Sequence, residues 1–336
     1  MFRWSCGGSP LSSPEGLAEL QTLRVRRLVR RRGQPQQNRE QFDATELVLP
    51  YGSSDAANHN RPTGRFSDGV VQSDIVAEIL GLDESPPAFR TLGPNDEVDP
   101  SGVNFAVGGT GVSLGTPTLR QQVEQLRSLV RSGAIRKRDL DDSVALISIS
   151  AGRDYARVNG RSSSDEMMDM SRSVTNEMKN MVKRLQDIGV SKVLVNSMPP
   201  MGCTPWESVH NNYTRCGSHG NMMSDVHNAA LRQTLSEEDS VLLLDLNSIF
   251  KGLVEDGGDG QEQQQFTSKL APCCYSSVRG GYCGQVDSWG RKQYSLCDNS
   301  EDFFFWDYIH PTQAAWKAVM SLLRDPIRDF LDIDEP

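Results

Sequence analysis

The 336-residue sequence has no run approaching the roughly 18 consecutive apolar residues that a spanning helix needs, which excludes an integral helical membrane protein. Its first residues, Met1 to Gly7, lack the apolar core of a secretory signal, so the chain as written carries no export address. Net positive charge is also missing: 35 Lys and Arg stand against 44 Asp and Glu, a formal charge of -9. An acidic surface repels phosphate backbones and makes nucleic acid a poor partner. No internal repeat is present, and the last four cysteines lack the short paired spacing that zinc takes.

What is present is unevenly spread. Residues 1–48 hold eight Arg and five acidic residues, so residues 49–336 carry about -12, and six of those Arg lie between Arg24 and Arg32. Cys6 is alone in the basic segment. The other six, Cys203, Cys216, Cys273, Cys274, Cys283 and Cys297, are an even number that suits three disulfides in an oxidising compartment, with unpaired intracellular thiols as the other reading. Asn212-Tyr213-Thr214 is a glycosylation acceptor pattern that matters only if the chain is exported.

From about residue 66, helical and strand patterns alternate. A helix is expected over Ser67–Leu80, stopped by Gly81, and another where Leu119, Val123, Leu126 and Val130 recur. A third carries Val174, Met178, Met181 and Leu185 on one face before Gly189; others run from about Val226 to Leu235 and from Pro311 onward. Strands are expected at Gly102–Val107, Val144–Ile149, Lys192–Asn196 and Val241–Leu246, with a Gly-, Gln- and Cys-rich loop over about 255–300. Near-continuous apolar strands between amphipathic helices imply a parallel sheet covered on both faces.

Such a sheet places ligands at the carboxyl ends of its strands. Those ends carry Gly108-Gly109-Thr110-Gly111, Ser150 to Tyr155, and Asn196-Ser197-Met198-Pro199-Pro200, and a further candidate is Asp307-Tyr308-Ile309-His310-Pro311. An Asp three residues before a His can bond its ring nitrogen, fixing the tautomer and supporting the imidazolium of a general base; a structural His is the alternative.

Taken in order, Pro62 to Gly69, Val103 to Gly111, Ile149 to Tyr155, Pro199 to Pro205, Cys273-Cys274 and Phe305 to Thr312 resemble the plant branch of the GDSL esterases and lipases, within the SGNH hydrolase superfamily. The resemblance spans residues 50 to 323 and implies a three-layer α/β/α flavodoxin-like fold over residues 49–330, its first strand missing or replaced. It implies hydrolysis of carboxylic esters through a Ser-His-Asp acyl-enzyme, with no cofactor or metal, a small-molecule or lipid ester as partner, no obligate protein partner, no stable membrane insertion, and an extracellular location. Carried over by position, His310 is the base, Asp307 its orienting acid, and Gly109, with Gly108 next, the backbone donor of the oxyanion hole. Preorganised donors of this type contribute roughly 3–4 kcal/mol in acyl transfer.

Two positions depart from that pattern. Arg153 stands where the family has an Asn, and its long fork cannot place a donor where a short amide sat. No Gly-Asp-Ser turn occurs anywhere, so no nucleophile is identifiable. Ser53 and Ser54 imitate one in Gly52-Ser53-Ser54-Asp55, but no apolar strand precedes them. Residues 1–48, where the nucleophile belongs, read as a disordered basic segment or as a catalytic block out of frame. Leu23 to Pro35 can be back-translated so that dropping one base yields Phe-Val-Phe-Gly-Asp-Ser. Either reading leaves the flanking strands unpaired and the product destabilised, and makes a catalytically inactive, ligand-binding pseudoenzyme the alternative to an active hydrolase.

Overall fold

A computed structural model describes the backbone of residues 17–24 and residues 48–93, 96–115, 117–149, 153–155, 162–255 and 265–334. In chain order its elements are β1 (Leu17–Arg24), α1 (Gln72–Ile79), β2 (Gly102–Asn104), β3 (Val107–Gly108), α2 (Leu119–Arg131), β4 (Ser143–Ile149), α3 (Ser164–Ile188), β5 (Lys192–Asn196), α4 (Pro205–Ser208), α5 (Ser218–Leu235), β6 (Val241–Leu244) and α6 (Leu246–Val254). They continue with β7 (Ser268–Pro272), β8 (Cys274–Ser276), β9 (Tyr294–Leu296), β10 (Phe303–Phe305) and α7 (Gln313–Phe330).

The main sheet runs β2-β1-β4-β5-β6, with β3 also paired to β1. Strands β4, β5 and β6 are parallel in the register Ala145↔Val193 and Val193↔Val241. Their side chains alternate between two cores, as the two-residue period of a strand requires. Val144, Leu146 and Leu194 point into the cluster with Ile75 and Val76 of α1, Phe250 of α6 and Val319 of α7. Ala145, Ile147, Val193 and Val195 point to the other side, against Val123 of α2, Met178 and Met181 of α3 and Leu231 of α5. The result is three layers, helix on sheet on helix.

Leu17–Arg24, within the segment read as disordered or as a catalytic block out of frame, forms a strand in the central slot, pairing with β4 from Ala18↔Ile149 to Arg24↔Ser143 and with β2 at Thr22↔Val103. The flanking strands are therefore paired, not open. Strand β1 runs antiparallel to both, beside the parallel strands β4, β5 and β6 that the sequence pattern implies. Backbone pairing needs only an extended segment with free N–H and C=O groups, which any non-proline sequence supplies. The rest of residues 1–47, including almost all of the back-translated stretch, lies outside the described residues.

Element ends shifted for local reasons. The helix expected from Ser67 starts at Gln72, because Ser67 and Asp68 are engaged elsewhere. The strand expected to Val107 breaks after Asn104, whose side chain accepts the Ala106 N–H at 2.8 Å. Asp245 caps α6, an element hidden in the apolar run, by accepting the Ser248 N–H at 3.2 Å. The last helix starts at Gln313 and not at Pro311, capped by Thr312 through the Ala315 N–H at 3.1 Å. Within the segment read as a loop, short strands β7, β8 and β9 appear, held by Cys273–Cys297 and Cys274–Cys283, while Cys203–Cys216 ties the loop after β5.

Candidate active site

The last helix is anchored before it begins. Asp68, fully buried, accepts the Gln313 N–H at 2.8 Å, the Ser300 hydroxyl at 2.8 Å and the Ser67 hydroxyl at 3.1 Å. The Ser67 hydroxyl also lies 3.0 Å from the Pro311 carbonyl. These bonds fix the loop Trp306–Pro311, which is further pinned where the Trp306 N–H meets the His310 carbonyl at 2.7 Å.

Asp307 and His310 meet within that loop. His310 Nδ1 is 2.7 Å from Asp307 Oδ2 and 2.9 Å from Oδ1. The backbone N–H groups of Ile309 and His310 each donate to Oδ1 at 2.8 Å, and the Tyr51 hydroxyl donates to Oδ2 at 2.8 Å. Burial pushes the Asp307 carboxyl up, but the His310 ring beside it and the N–H donors outweigh that and hold it below the usual carboxylate range. Burial and the Asp307 charge raise the Tyr51 phenol, which therefore stays a donor. With Nδ1 held by the carboxylate, Nε2 is the free end of the ring, buried and without a hydrogen-bond partner among the described residues.

His310 lines a cavity of about 60 Å³ at the carboxyl ends of β4 and β5. Phe250, Phe305, Ile309, Trp316, Leu246 and Met201 supply apolar wall, and Ser148 and Asn196 form a polar floor. That floor is satisfied internally: Asn196 exchanges both amide bonds with Gln72, at 2.9 and 2.6 Å, and donates to the Ser148 hydroxyl at 2.8 Å. The sequence reading missed Gln72 and Ser148; no motif marks them, since helix and strand positions 76 residues apart meet only through the fold.

Gly108 lies in β3 opposite Leu17, and Gly109 follows with φ +75°, a left-handed conformation that favours glycine. A side chain at Gly108 would strike the Phe66 ring, 2.6 Å from the Cβ position. The same ring stacks on His310 with centroids 4.8 Å apart, so Phe66 touches both the candidate donor strand and the candidate base. Asp154 shapes the neighbouring loop by accepting the N–H groups of Val112, Ser113 and Leu114 at 2.7, 2.8 and 3.1 Å. Gly111 leaves room for that carboxylate, since a Cβ there would collide with Oδ2. Arg153 is half-buried and makes no hydrogen bond or ion pair with another described residue.

Neither Ser53 nor Ser54 bonds to His310. Both sit in turns, and the Ser54 hydroxyl lies 3.5 Å from that of Ser300. Asn212 is exposed in a left-handed turn. Among the described residues no helix is long and apolar enough to cross a membrane.

The family model for GDSL-like lipases and acylhydrolases matches residues 40–323. The Arabidopsis thaliana protein GDSL esterase/lipase At5g03610 is 32% identical over 290 residues, covering 83% of this chain and 80% of that one. Its relative At3g09930 is 30% identical over 292 residues, with 83% and 81% covered, and At2g36325 is 33% identical over 279 residues, with 78% and 76% covered.

Proposed function

Because the chain belongs to the GDSL lipase/acylhydrolase family, whose members hydrolyse ester bonds, we propose that residues 49–330 form one such hydrolase domain with Asp307 and His310 as its general-base pair. The observation that supports this most directly is the unpartnered Nε2 of His310 at an apolar cavity, its other nitrogen held by an ionised, triply hydrogen-bonded Asp307. In the acyl-transfer reaction this nitrogen takes the proton of the attacking hydroxyl and returns it to the leaving alcohol, while Asp307 stabilises the imidazolium. Gly109, with Gly108 next, donates to the developing oxyanion. Arg153 in place of an Asn leaves that hole one short donor poorer.

The chain lacks the Gly-Asp-Ser nucleophile, and no described serine bonds Nε2. Without a serine alkoxide no acyl-enzyme forms, and the remaining rate comes from His310 acting as general base on a water molecule, helped by binding and oxyanion stabilisation. A second reading follows from the same observation: a pseudoenzyme that keeps the cavity as an ester- or lipid-binding site. Three disulfide pairs and the exposed Asn212 acceptor support a secreted protein under either reading.

Turnover of a short-chain aryl ester distinguishes them. Slow hydrolysis that disappears in His310→Ala supports the hydrolase. Saturable ester binding with no turnover, weakened in His310→Ala, supports the binding module, and neither binding nor turnover refutes both.

A further inference from the structure

Four large apolar side chains among the described residues are more than half exposed: Trp289 at 78%, Tyr282 at 63%, Leu49 at 56% and Val286 at 54%. All four belong to one lobe. Tyr282, Val286 and Trp289 lie in the segment 274–297, and Leu49 rests against it. The Leu49 carbonyl accepts the Tyr294 hydroxyl at 3.4 Å, and Leu49 and Val48 lie within 3.2 Å of the Cβ position of Gly284. Scattered exposed apolar residues are ordinary, but a concentration on one lobe marks a contact surface.

The lobe is built to hold these side chains out. Cys274–Cys283 and Cys273–Cys297 clamp its base onto Tyr51 and Trp306. At the tip, Asp287 accepts the N–H groups of Trp289 and Arg291, each at 2.9 Å, and the Arg291 guanidinium at 2.7 Å. Gly290, at φ +75°, closes the turn. The Arg291 guanidinium stacks on Trp289 at 5.0 Å, and the Lys292 ammonium lies 5.7 Å from the Tyr294 ring.

Its charge is opposite to that of the chain. Segment 274–297 holds Arg279, Arg291 and Lys292 against the single acid Asp287, in a protein of net charge -9. Aromatic rings with polar edges sit well at the headgroup level of a bilayer, and cations beside them are drawn to anionic headgroups. The aliphatic companions Val48, Leu49 and Val286 match hydrocarbon, not the hydroxylated face of a sugar polymer.

We propose that this disulfide-clamped lobe docks the protein on an anionic lipid surface, with Trp289 and Tyr282 entering the interface and Arg279, Arg291 and Lys292 meeting the headgroups. The base of the lobe shares Tyr51 and Trp306 with the Asp307 loop, so docking brings the candidate active site close to the lipid. The proposal does not depend on turnover.

The test is co-sedimentation of the full chain with phosphatidylcholine vesicles, with and without phosphatidylglycerol. Binding is expected only to the anionic vesicles and is expected to weaken as salt rises. The pair Arg291→Ala and Lys292→Ala should lower it by about tenfold or more, at roughly 1 kcal/mol per cation near a charged surface. Trp289→Ser with Tyr282→Ser should abolish it without changing the melting temperature. Should that variant not fold, tryptophan quenching by brominated lipid in the otherwise unaltered protein, lost in Trp289→Phe, reads the same contact. Equal binding to neutral vesicles, binding unchanged in the variants, no vesicle binding, or binding to an acidic polysaccharide in its place would overturn the proposal.

Discussion

His227 makes the acid stability of this fold measurable at one residue. It is 1% exposed on α5, with Nδ1 2.8 Å from the Tyr155 hydroxyl, which itself lies 3.1 Å from Ser171 Oγ. With the phenol donating to Ser171, Nδ1–H donates to the phenol oxygen and Nε2 has no partner among the described residues. Protonation would place a second N–H in apolar surroundings with nothing to accept it. Burial accordingly lowers the ring from 6.5 to about 4. The folded state binds fewer protons than the unfolded chain between those values, so stability falls as pH falls through 6.5 toward 4. At roughly 1.4 kcal/mol per pH unit, the loss by about pH 4.5 is ~3 kcal/mol. Urea denaturation followed by circular dichroism, at about pH 7 and pH 4.5, measures it. His227→Gln lacks the titrating ring, so the wild-type stability should fall by ~3 kcal/mol more than the variant's over this interval. Asp307 and Asp74 have carboxyls lowered below 3.8 and lose their contributions at more acid pH, outside the window. Burial raises the Asp154 carboxyl, which works in the opposite direction but equally in both proteins. Parallel pH dependences in wild type and His227→Gln would refute the reasoning.

Two substitutions test the supports of the site. Asp68→Ala strands the buried Gln313 N–H and removes an acceptor from the half-buried Ser300 hydroxyl, and should cost about 2 kcal/mol in chemical denaturation, since a buried unsatisfied group costs roughly 1–3 kcal/mol; a loss under about 1 kcal/mol would show that Asp68 does not anchor the last helix. Gly202→Ala places a methyl on the Gly217 carbonyl oxygen and 2.9 Å from the Asn221 nitrogen, both held by backbone. It should lower the melting temperature strongly and impair closure of Cys203–Cys216, read by thiol titration; a protein with wild-type melting and no free thiol beyond Cys6 would contradict the packing described here.

Periodicity made most of the outer layers legible. The spacing of Val174, Met178, Met181 and Leu185 announced a helix whose apolar stripe faces the sheet, and Gly189 marked its end, with φ +121° in the structure. The strand at Lys192–Asn196 kept its boundaries because its apolar run ends where Met198 and Pro199 begin a loop. Helix α6 was hidden because Val241 to Leu244 and Leu246 onward form one apolar stretch, divided only by the capping bond of Asp245. Of the site, Asp307 and His310 were readable because their partnership is local, three residues apart, while Tyr51 joins Asp307 from 256 residues away.

The sequence by itself determined the layered α/β class, the family, the Asp-x-x-His loop, and the absence of a Gly-Asp-Ser turn, because each of these is a local pattern of residue types. Only the tertiary structure decided what fills the centre of the sheet. An extended segment with no strand-like alternation, Leu17–Arg24, pairs antiparallel with β2 and β4, since unpaired backbone groups on two buried strands impose a demand that composition does not display. It also decided that Phe66 lies against both Gly108 and His310, and that Leu49 rests on the disulfide lobe that carries the exposed Tyr282 and Trp289. These are long-range juxtapositions, set by which surfaces must be buried together.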